Sequence, residues 1–245
     1  MGSGGPLAGD RLVSLALFVT GTDTGIGKTR VSSALLRWGR ACGLRTVGLK
    51  PLATGADTTG EGLRNDDALR LQELATVALP YASVNPFCFL EPMAPHLAAA
   101  RVGVRLAAAP LIEHIRVFEP LCDLLVVEGV GGLRVPLNET EDLSDLVRAL
   151  GYPVLLVVGL RLGCLNHALL TAETLDRLGV SWAWVANRVD PDLLDAAGNR
   201  ETLRRRLAGP LLWEQPYAGE VVDDDGLLSA SVLESWLRHA AMARS

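Results

Sequence analysis

One run of residues carries the densest chemistry in this sequence: Gly21-Thr22-Asp23-Thr24-Gly25-Ile26-Gly27-Lys28-Thr29. Glycines in such a run let successive backbone N–H groups turn inward onto phosphate oxygens, and a helix starting there adds positive potential. Lys28 is placed to neutralise β- and γ-phosphates, and the Thr29 hydroxyl to ligate Mg2+. The surroundings fit a phosphate-binding loop, since an apolar run precedes it and a helical pattern follows it. The strict pattern wants Gly at position 22, where this chain has Thr22, so the match is the variant G-x5-G-K-T. An ordinary strand-to-helix turn containing Gly-Lys-Thr is the alternative. ATPases that partition plasmids or position division sites carry a second lysine early in this loop. Here that position is Asp23, which argues against a switch ATPase.

A nucleotide site needs carboxylates to help hold its metal. Glu128 ends the apolar run 124–127 and precedes Gly129-Val130-Gly131-Gly132, the placement of an acid at the carboxyl end of a buried strand. A turn-capping carboxylate would look the same. Asp67, in Arg64-Asn65-Asp66-Asp67, opens a helical pattern; it reads as a metal ligand or as an ordinary first-turn acid. Lys50 ends a second apolar run, and Pro51 keeps it out of helical geometry. It is either a surface lysine at a strand end or a second cation aimed at the loop's crevice, where two lysines would suit a reaction that builds up negative charge. A further glycine turn, Gly159-Leu160-Arg161-Leu162-Gly163-Cys164-Leu165-Asn166, leads into a helix with Asn166 as its expected cap. That is a plain helix start or a carboxylate pocket of free N–H groups. His96 and His167 are given no chemical role.

These residues must be held by elements, and the rest of the chain supplies them. Strand candidates fall at residues 15–20, 45–50, 123–128, 153–158 and 182–186, with a weaker one at 211–213. They are continuously apolar rather than alternating, as strands buried on both faces of a parallel sheet must be. Helical patterns fall at 29–41, 65–75, 106–118, 143–150, 166–178, 199–207 and 231–243. The alternation predicts a three-layer α/β fold with a mainly parallel central sheet flanked by helices. Residues 52–61 read as a surface loop, and 80–95, with four prolines, as an irregular excursion. In such folds sites form outside the carboxyl ends of the strands, where the glycine loops lie.

Composition bounds the rest. The chain has 245 residues, 49% of them hydrophobic and 21% charged, which is globular composition. A net charge of −5 argues against electrostatic binding to nucleic acid or to an anionic membrane. Mean hydropathy is positive at +0.26. The longest apolar runs, 12–19 and 153–160, have about half of the ~20 residues a membrane span needs. No small-residue cleavage site follows the first of them, so it does not read as a signal peptide. Cys42, Cys88, Cys122 and Cys164 lie far apart without a C-x-x-C, which fits reduced thiols in the cytoplasm. Residues 1–11 read as a flexible leader, and residues 12–245 as a single domain, because the candidate site draws on the chain from Gly21 to Asn187.

The runs FVTGTDTGIGKT, GLKPLATGAD, EGLRNDDALRLQ, VNPFCFLEPMAPH, VVEGVGGLRVPL, VVGLRLGCLNHALLT and WVANRV together resemble the dethiobiotin synthetase family, in the family's order and over roughly residues 15–190. The resemblance implies a P-loop NTPase fold and a homodimeric, ATP- and Mg2+-dependent ligase of biotin synthesis. Its substrates would be CO2 and 7,8-diaminononanoate. The resemblance makes Lys50 and Lys28 the catalytic pair. It assigns nucleotide contacts to Gly25, Ile26, Gly27, Lys28, Thr29 and Arg30, to Asp67 and Glu128, and to Gly129, Val130 and Gly131. Asn187 matches an adenine-reading asparagine, followed here by Arg188 where the family often has Asp, which leaves strict ATP preference open. A second base-contacting segment corresponds to Pro216, Tyr217 and Ala218. Metal ligands carry over to Thr29, Asp67 and Glu128. Substrate contacts carry over to Thr24 and Thr54, and to Gly163, Cys164, Leu165 and Asn166, the last group across a dimer interface. An α/β amide ligase acting on other substrates is a rival, disfavoured because such chains carry an appended glutamine-cleaving domain that is not expected within these 245 residues. Residues beyond 190 resemble the family weakly.

Overall fold

In the computed structural model, which describes residues 15–217 and 230–242, six short apolar runs pair side by side in parallel. They are β1 (Leu15–Gly21), β2 (Thr46–Leu49), β7 (Leu124–Glu128), β8 (Val154–Leu160), β9 (Trp182–Arg188) and β10 (Leu211–Gln215), in the spatial order β10-β9-β8-β1-β7-β2. Every pairing within this sheet is parallel. The continuous hydrophobicity has a direct cause, because alternate residues of each strand enter two separate cores. Leu17, Val126, Leu155 and Val185 pack on one face, and Phe18, Val127, Leu156 and Trp184 on the other.

Helices cover both faces. Over the first lie α1 (Lys28–Ala41), α2 (Asp66–Leu74) and α9 (Ala230–Met242), through Leu35, Leu71 and Leu237. Over the second lie α5 (Ala108–Arg116), α6 (Leu143–Leu150), α7 (Cys164–Leu178) and α8 (Ala196–Arg206), through Ile115, Val147, Leu175 and Leu203. The expected three-layer architecture is therefore present, and all six expected strands with it.

Between β2 and α5 the chain departs from the sequence reading. Residues 52–61, expected as a loop, contain β3 (Leu52–Thr54) and β4 (Asp57–Thr59), the latter forming a hairpin with β5 (Gly62–Arg64). Residues 80–95 are not irregular throughout. They hold the short helix α3 (Tyr81–Val84) and β6 (Phe87–Phe89), and β6 pairs in parallel with β3. A further helix, α4 (Pro95–Arg101), starts on a proline at its first position. Three-residue strands are too short to show a period, so tertiary pairing creates them.

Another correction concerns α7, which starts at Cys164, two residues before the expected start. Its cap is Gly163 in the left-handed region (φ 91°), and Asn166 sits in the first turn rather than at the cap. Because β1, β2 and β7 run the same way with matched register (Val19 opposite Glu128, Leu49 opposite Val127), their carboxyl ends open onto one edge of the sheet.

Candidate active site: a cavity lined by two lysines

The loop after β1 wraps the start of α1. Gly27, its last residue before the helix, has φ 85°, and a Cβ there would fall 2.1 Å from Asn187 Nδ2. Glycine is required at this position on both counts. A cavity of about 610 Å³ opens in front of the loop. Thr24, Gly25, Gly27, Lys28, Thr29, Lys50, Thr54, Asp67, Val130 and Gly131 all line it, so residues named from four separate stretches of sequence converge.

A bridged charge cluster forms the floor. Lys50 Nζ donates to Glu128 Oε1 at 2.7 Å, to Asp67 Oδ2 at 2.9 Å and to the Gly129 carbonyl at 3.1 Å. Thr29 Oγ1 donates to the same Glu128 oxygen at 2.8 Å. Glu128 is fully buried and Lys50 is 3% exposed. Burial alone would lower the Lys50 pKa, yet the Glu128 and Asp67 carboxylates overcome it and hold the ammonium above its ordinary value. Asp67 shows the converse. Burial would raise its pKa, but Lys50 and the Thr29 hydroxyl bring it below the usual range.

Lys28 is different. Its ammonium donates to the Asp23 carbonyl at 2.9 Å. Burial, with repulsion from Lys50 behind it, lowers its pKa to about 8. A cation held this way, against a neutral oxygen rather than a carboxylate, is poised for an incoming anion.

Among the described residues, Glu128 Oε2 and Asn187 Oδ1 are buried oxygens without a hydrogen-bond partner. A buried carboxylate oxygen without a partner costs about 1–3 kcal/mol or more unless something binds it. At the cavity floor, beside the Thr29 hydroxyl and Asp67, it suits a hard cation such as Mg2+. Asn187 Nδ2 donates to the Ile26 carbonyl at 2.7 Å, which turns Oδ1 toward a donor from elsewhere.

Ile26, Arg30, Gly129, Asn187, Arg188, Pro216 and Tyr217, expected as nucleotide contacts, do not line the cavity. Gly129 follows Glu128 and supplies the carbonyl to Lys50. Ile26 is buried beneath the loop. Arg30 donates to the Pro216 carbonyl, which ties α1 to the segment after β10. Arg188 ends β9, and Tyr217 lies two residues beyond β10. Ala218 and residues 1–11 lie outside the described residues.

Gly163, Cys164, Leu165 and Asn166 do not line the cavity. They form the first turn of α7, linked to the loop by an Arg161–Asp23 ion pair. Sequence reasoning missed this role of Asp23. It also missed the wall formed by Pro92, Met93, Ala94 and Pro95. Four prolines in sixteen residues were the available signal, since rigid extended chain can build a wall without regular structure.

Comparison with known proteins identifies the family and the fold. Residues 15–223 match the family described as an AAA domain. The ATP-dependent dethiobiotin synthetase BioD of Pseudomonas aeruginosa (strain UCBPP-PA14) is 52% identical over 207 residues, covering 84% of this chain and 91% of that protein. BioD 1 of Escherichia coli O157:H7, named as the same kind of synthetase, is 45% identical over 209 residues, 85% of this chain and 93% of that one. Among solved structures, an apo-form GTPase from Pyrococcus abyssi superposes with TM-score 0.55 at 13% identity, covering 94% of this chain and 98% of that one. The MinC:MinD cell division complex of Aquifex aeolicus gives TM-score 0.55 at 13% identity, covering 94% and 96%. These two show a shared P-loop NTPase fold and nothing finer. With about half its residues shared across nearly the whole length of the curated relatives, and with the two-lysine cavity in place, the chain belongs to the dethiobiotin synthetase family.

Proposed function

We propose that this chain is an ATP-dependent ligase that closes the cyclic urea of dethiobiotin from 7,8-diaminononanoate and CO2. The observation that carries the reading is the convergence of Lys28, Lys50 and Asp67 on one cavity, with Glu128 at the end of β7 bonded to Lys50 beneath it. One amine of the substrate adds to CO2 and loses a proton, giving a carbamate. A carbamate oxygen attacks the γ-phosphorus, the bond to ADP breaks, and a carbamic–phosphoric anhydride results. The second amine attacks the carbonyl carbon and expels phosphate.

Two anions, carbamate and γ-phosphate, must meet in this sequence. Lys28 draws the phosphate in, and Lys50 offsets charge as the carbamate approaches, so the protein acts by positioning and electrostatics without a covalent enzyme intermediate. Thr29, Asp67 and Glu128 would hold Mg2+, and the unpartnered Glu128 Oε2 supports that assignment. When bound, the ion neutralises phosphoryl oxygens. Thr24 and Thr54 contact the diamine end, and Met93, Val130 and Val135 give the apolar chain a wall. The first turn of α7, with Gly163 to Asn166, captures the substrate carboxylate from a second copy of the chain in a homodimer. On the far side of the loop, Asn187 Oδ1 accepts the adenine amine, and Arg30, Arg188 and the segment from Pro216 to Ala218 flank the nucleotide. Residues 12–245 act as one domain. Four free thiols support a cytoplasmic location.

Phosphate release from ATP and Mg2+ in bicarbonate tests the reading. Stimulation by 7,8-diaminononanoate, with dethiobiotin as product, is expected. Stimulation only by DNA or a partner protein would instead mark a nucleotide-driven switch.

A further inference from the structure

A closed circuit of hydrogen bonds ties the cavity floor to Tyr81, Asn85 and Asn65, three residues with no part in the chemistry above. Its centre is the Tyr81 hydroxyl. That oxygen accepts the Asn65 N–H at 2.7 Å and donates to Asn85 Oδ1 at 2.9 Å. The Asn85 amide then donates from Nδ2 to the Lys50 carbonyl at 2.6 Å and to the Phe87 carbonyl at 3.3 Å. Two carbonyls facing Nδ2 fix the amide's orientation, so Oδ1 must face the phenol. The neighbouring Val84 carbonyl accepts the Lys50 N–H at 3.0 Å, so residues 84 and 85 grip the Lys50 peptide at both ends.

The other arm leads to the metal carboxylate. Asn65 caps α2, its side chain accepting the Ala68 N–H at 3.3 Å, and Asp67 lies in the first turn of that helix. Asp67 Oδ2 returns to Lys50 Nζ at 2.9 Å and closes the circuit. Asn65 and Asn85 are both buried. The Arg64 guanidinium lies 4.3 Å from the centre of the Tyr81 ring and holds the ring from outside. Burial pushes the phenol up to about 12, so it remains a donor across any useful assay range.

We infer that Tyr81 and Asn85 are positioning residues for the reaction: one phenol and one amide together set the Lys50 main chain and the start of α2. They thereby fix the separation between the Lys50 ammonium and the Asp67 carboxylate. The inference rests on the functional reading above, in which those two groups face the reacting anions. A displacement of about 1 Å at reacting groups costs up to ~10²-fold in rate.

Tyr81→Phe is the sharpest probe, because it keeps the ring, its burial and the Arg64 contact and removes only the hydroxyl. In diamine-dependent phosphate release its kcat is expected to fall about tenfold, with KM for ATP unchanged within about twofold and the midpoint of thermal unfolding within a few degrees. The Mg2+ concentration needed for half-maximal rate is expected to rise. Asn85→Ala should lower kcat in the same way, and the double variant should lose no more than the worse single one, since both break one circuit. A kcat within twofold of the unmodified enzyme in Tyr81→Phe, or losses that multiply in the double variant, would overturn the inference. A crystal structure of Tyr81→Phe gives a readout independent of turnover. The Lys50–Asp67 separation, 2.9 Å here, is expected to open past hydrogen-bond distance. If it does not, the positioning role is wrong even for an active enzyme. An unmodified enzyme that ignores the diamine would sink the functional reading instead.

Discussion

The floor of the cavity and the first turn of α7 both lie at the carboxyl ends of sheet strands, yet they are finished differently. On the floor, each charged group has its partner within the chain: Lys50 bridges two carboxylates, and Thr29 shares one of them. At the start of α7, Gly163 is exposed, Leu162 is 91% exposed, and the tie to the rest of the site is an Arg161–Asp23 pair whose side chains are 41% and 43% exposed. Buried charges must be matched in place because their desolvation is costly, so such a site is complete in one copy. An exposed apolar turn carries no such demand. Its finishing groups can come from a second copy.

The largest effect should come from breaking the floor. Lys50→Ala is expected to abolish diamine-dependent turnover, by at least ~10³-fold. It should also cost about 3–5 kcal/mol of stability, because it strands the fully buried Glu128 carboxylate. Urea unfolding checks the second part. The double variant Lys50→Met/Glu128→Gln should recover stability without activity.

Lys28 offers a sharper version of the same test. Its folded pKa of about 8 lies below the unfolded 10.5, so the folded state holds its proton less tightly. Stability is reduced by that cost below about pH 8, and the cost fades as pH rises toward 10.5. Lys28→Met is expected to weaken ATP binding about 10²-fold by calorimetry. Without nucleotide it should stabilise the protein by on the order of 3 kcal/mol at pH 7, an advantage that shrinks as pH rises through 8 to 10.

Leu162→Asp tests the other side of the comparison. It should change monomer stability by less than about 0.5 kcal/mol. If a second copy completes the turn, it should shift the species seen in sedimentation toward monomer and raise KM for the diamine about tenfold, with KM for ATP unaltered. Arg161→Gln is the smallest perturbation. A half-exposed pair is worth about 0.2–1 kcal/mol, so unfolding should barely move.

Much of this molecule was legible before folding. The glycine loop, Lys28 and Thr29 form one contiguous signal, and the continuous apolar strands announce a parallel sheet buried on both faces. Glu128 was legible as the last residue of such a strand. Asp67 was ambiguous, because an acid in a helix's first turn has an ordinary local explanation; its bond to Lys50 exists only in the folded chain. Residues 80–95 were read as irregular throughout, since β6 exists only by pairing with β3. Asn166 was misplaced because Gly163, with its left-handed backbone, starts the helix without a side-chain cap.

By itself the sequence determined the strand-and-helix rhythm, the phosphate-binding loop and the residue types of the site, because these depend on local spacing and on burial patterns. Tertiary structure alone decided that Lys50 would bridge Asp67 and Glu128, that Lys28 would be left against a carbonyl, and that Tyr81 and Asn85 would stand behind them. The bonds of Lys50 to Asp67, Asn85 and Glu128 join residues 17, 35 and 78 positions apart, and no local rule of the chain specifies a contact over such a separation; the Lys28–Asp23 contact spans only five, and there the fold decides that the ammonium is buried beside Lys50.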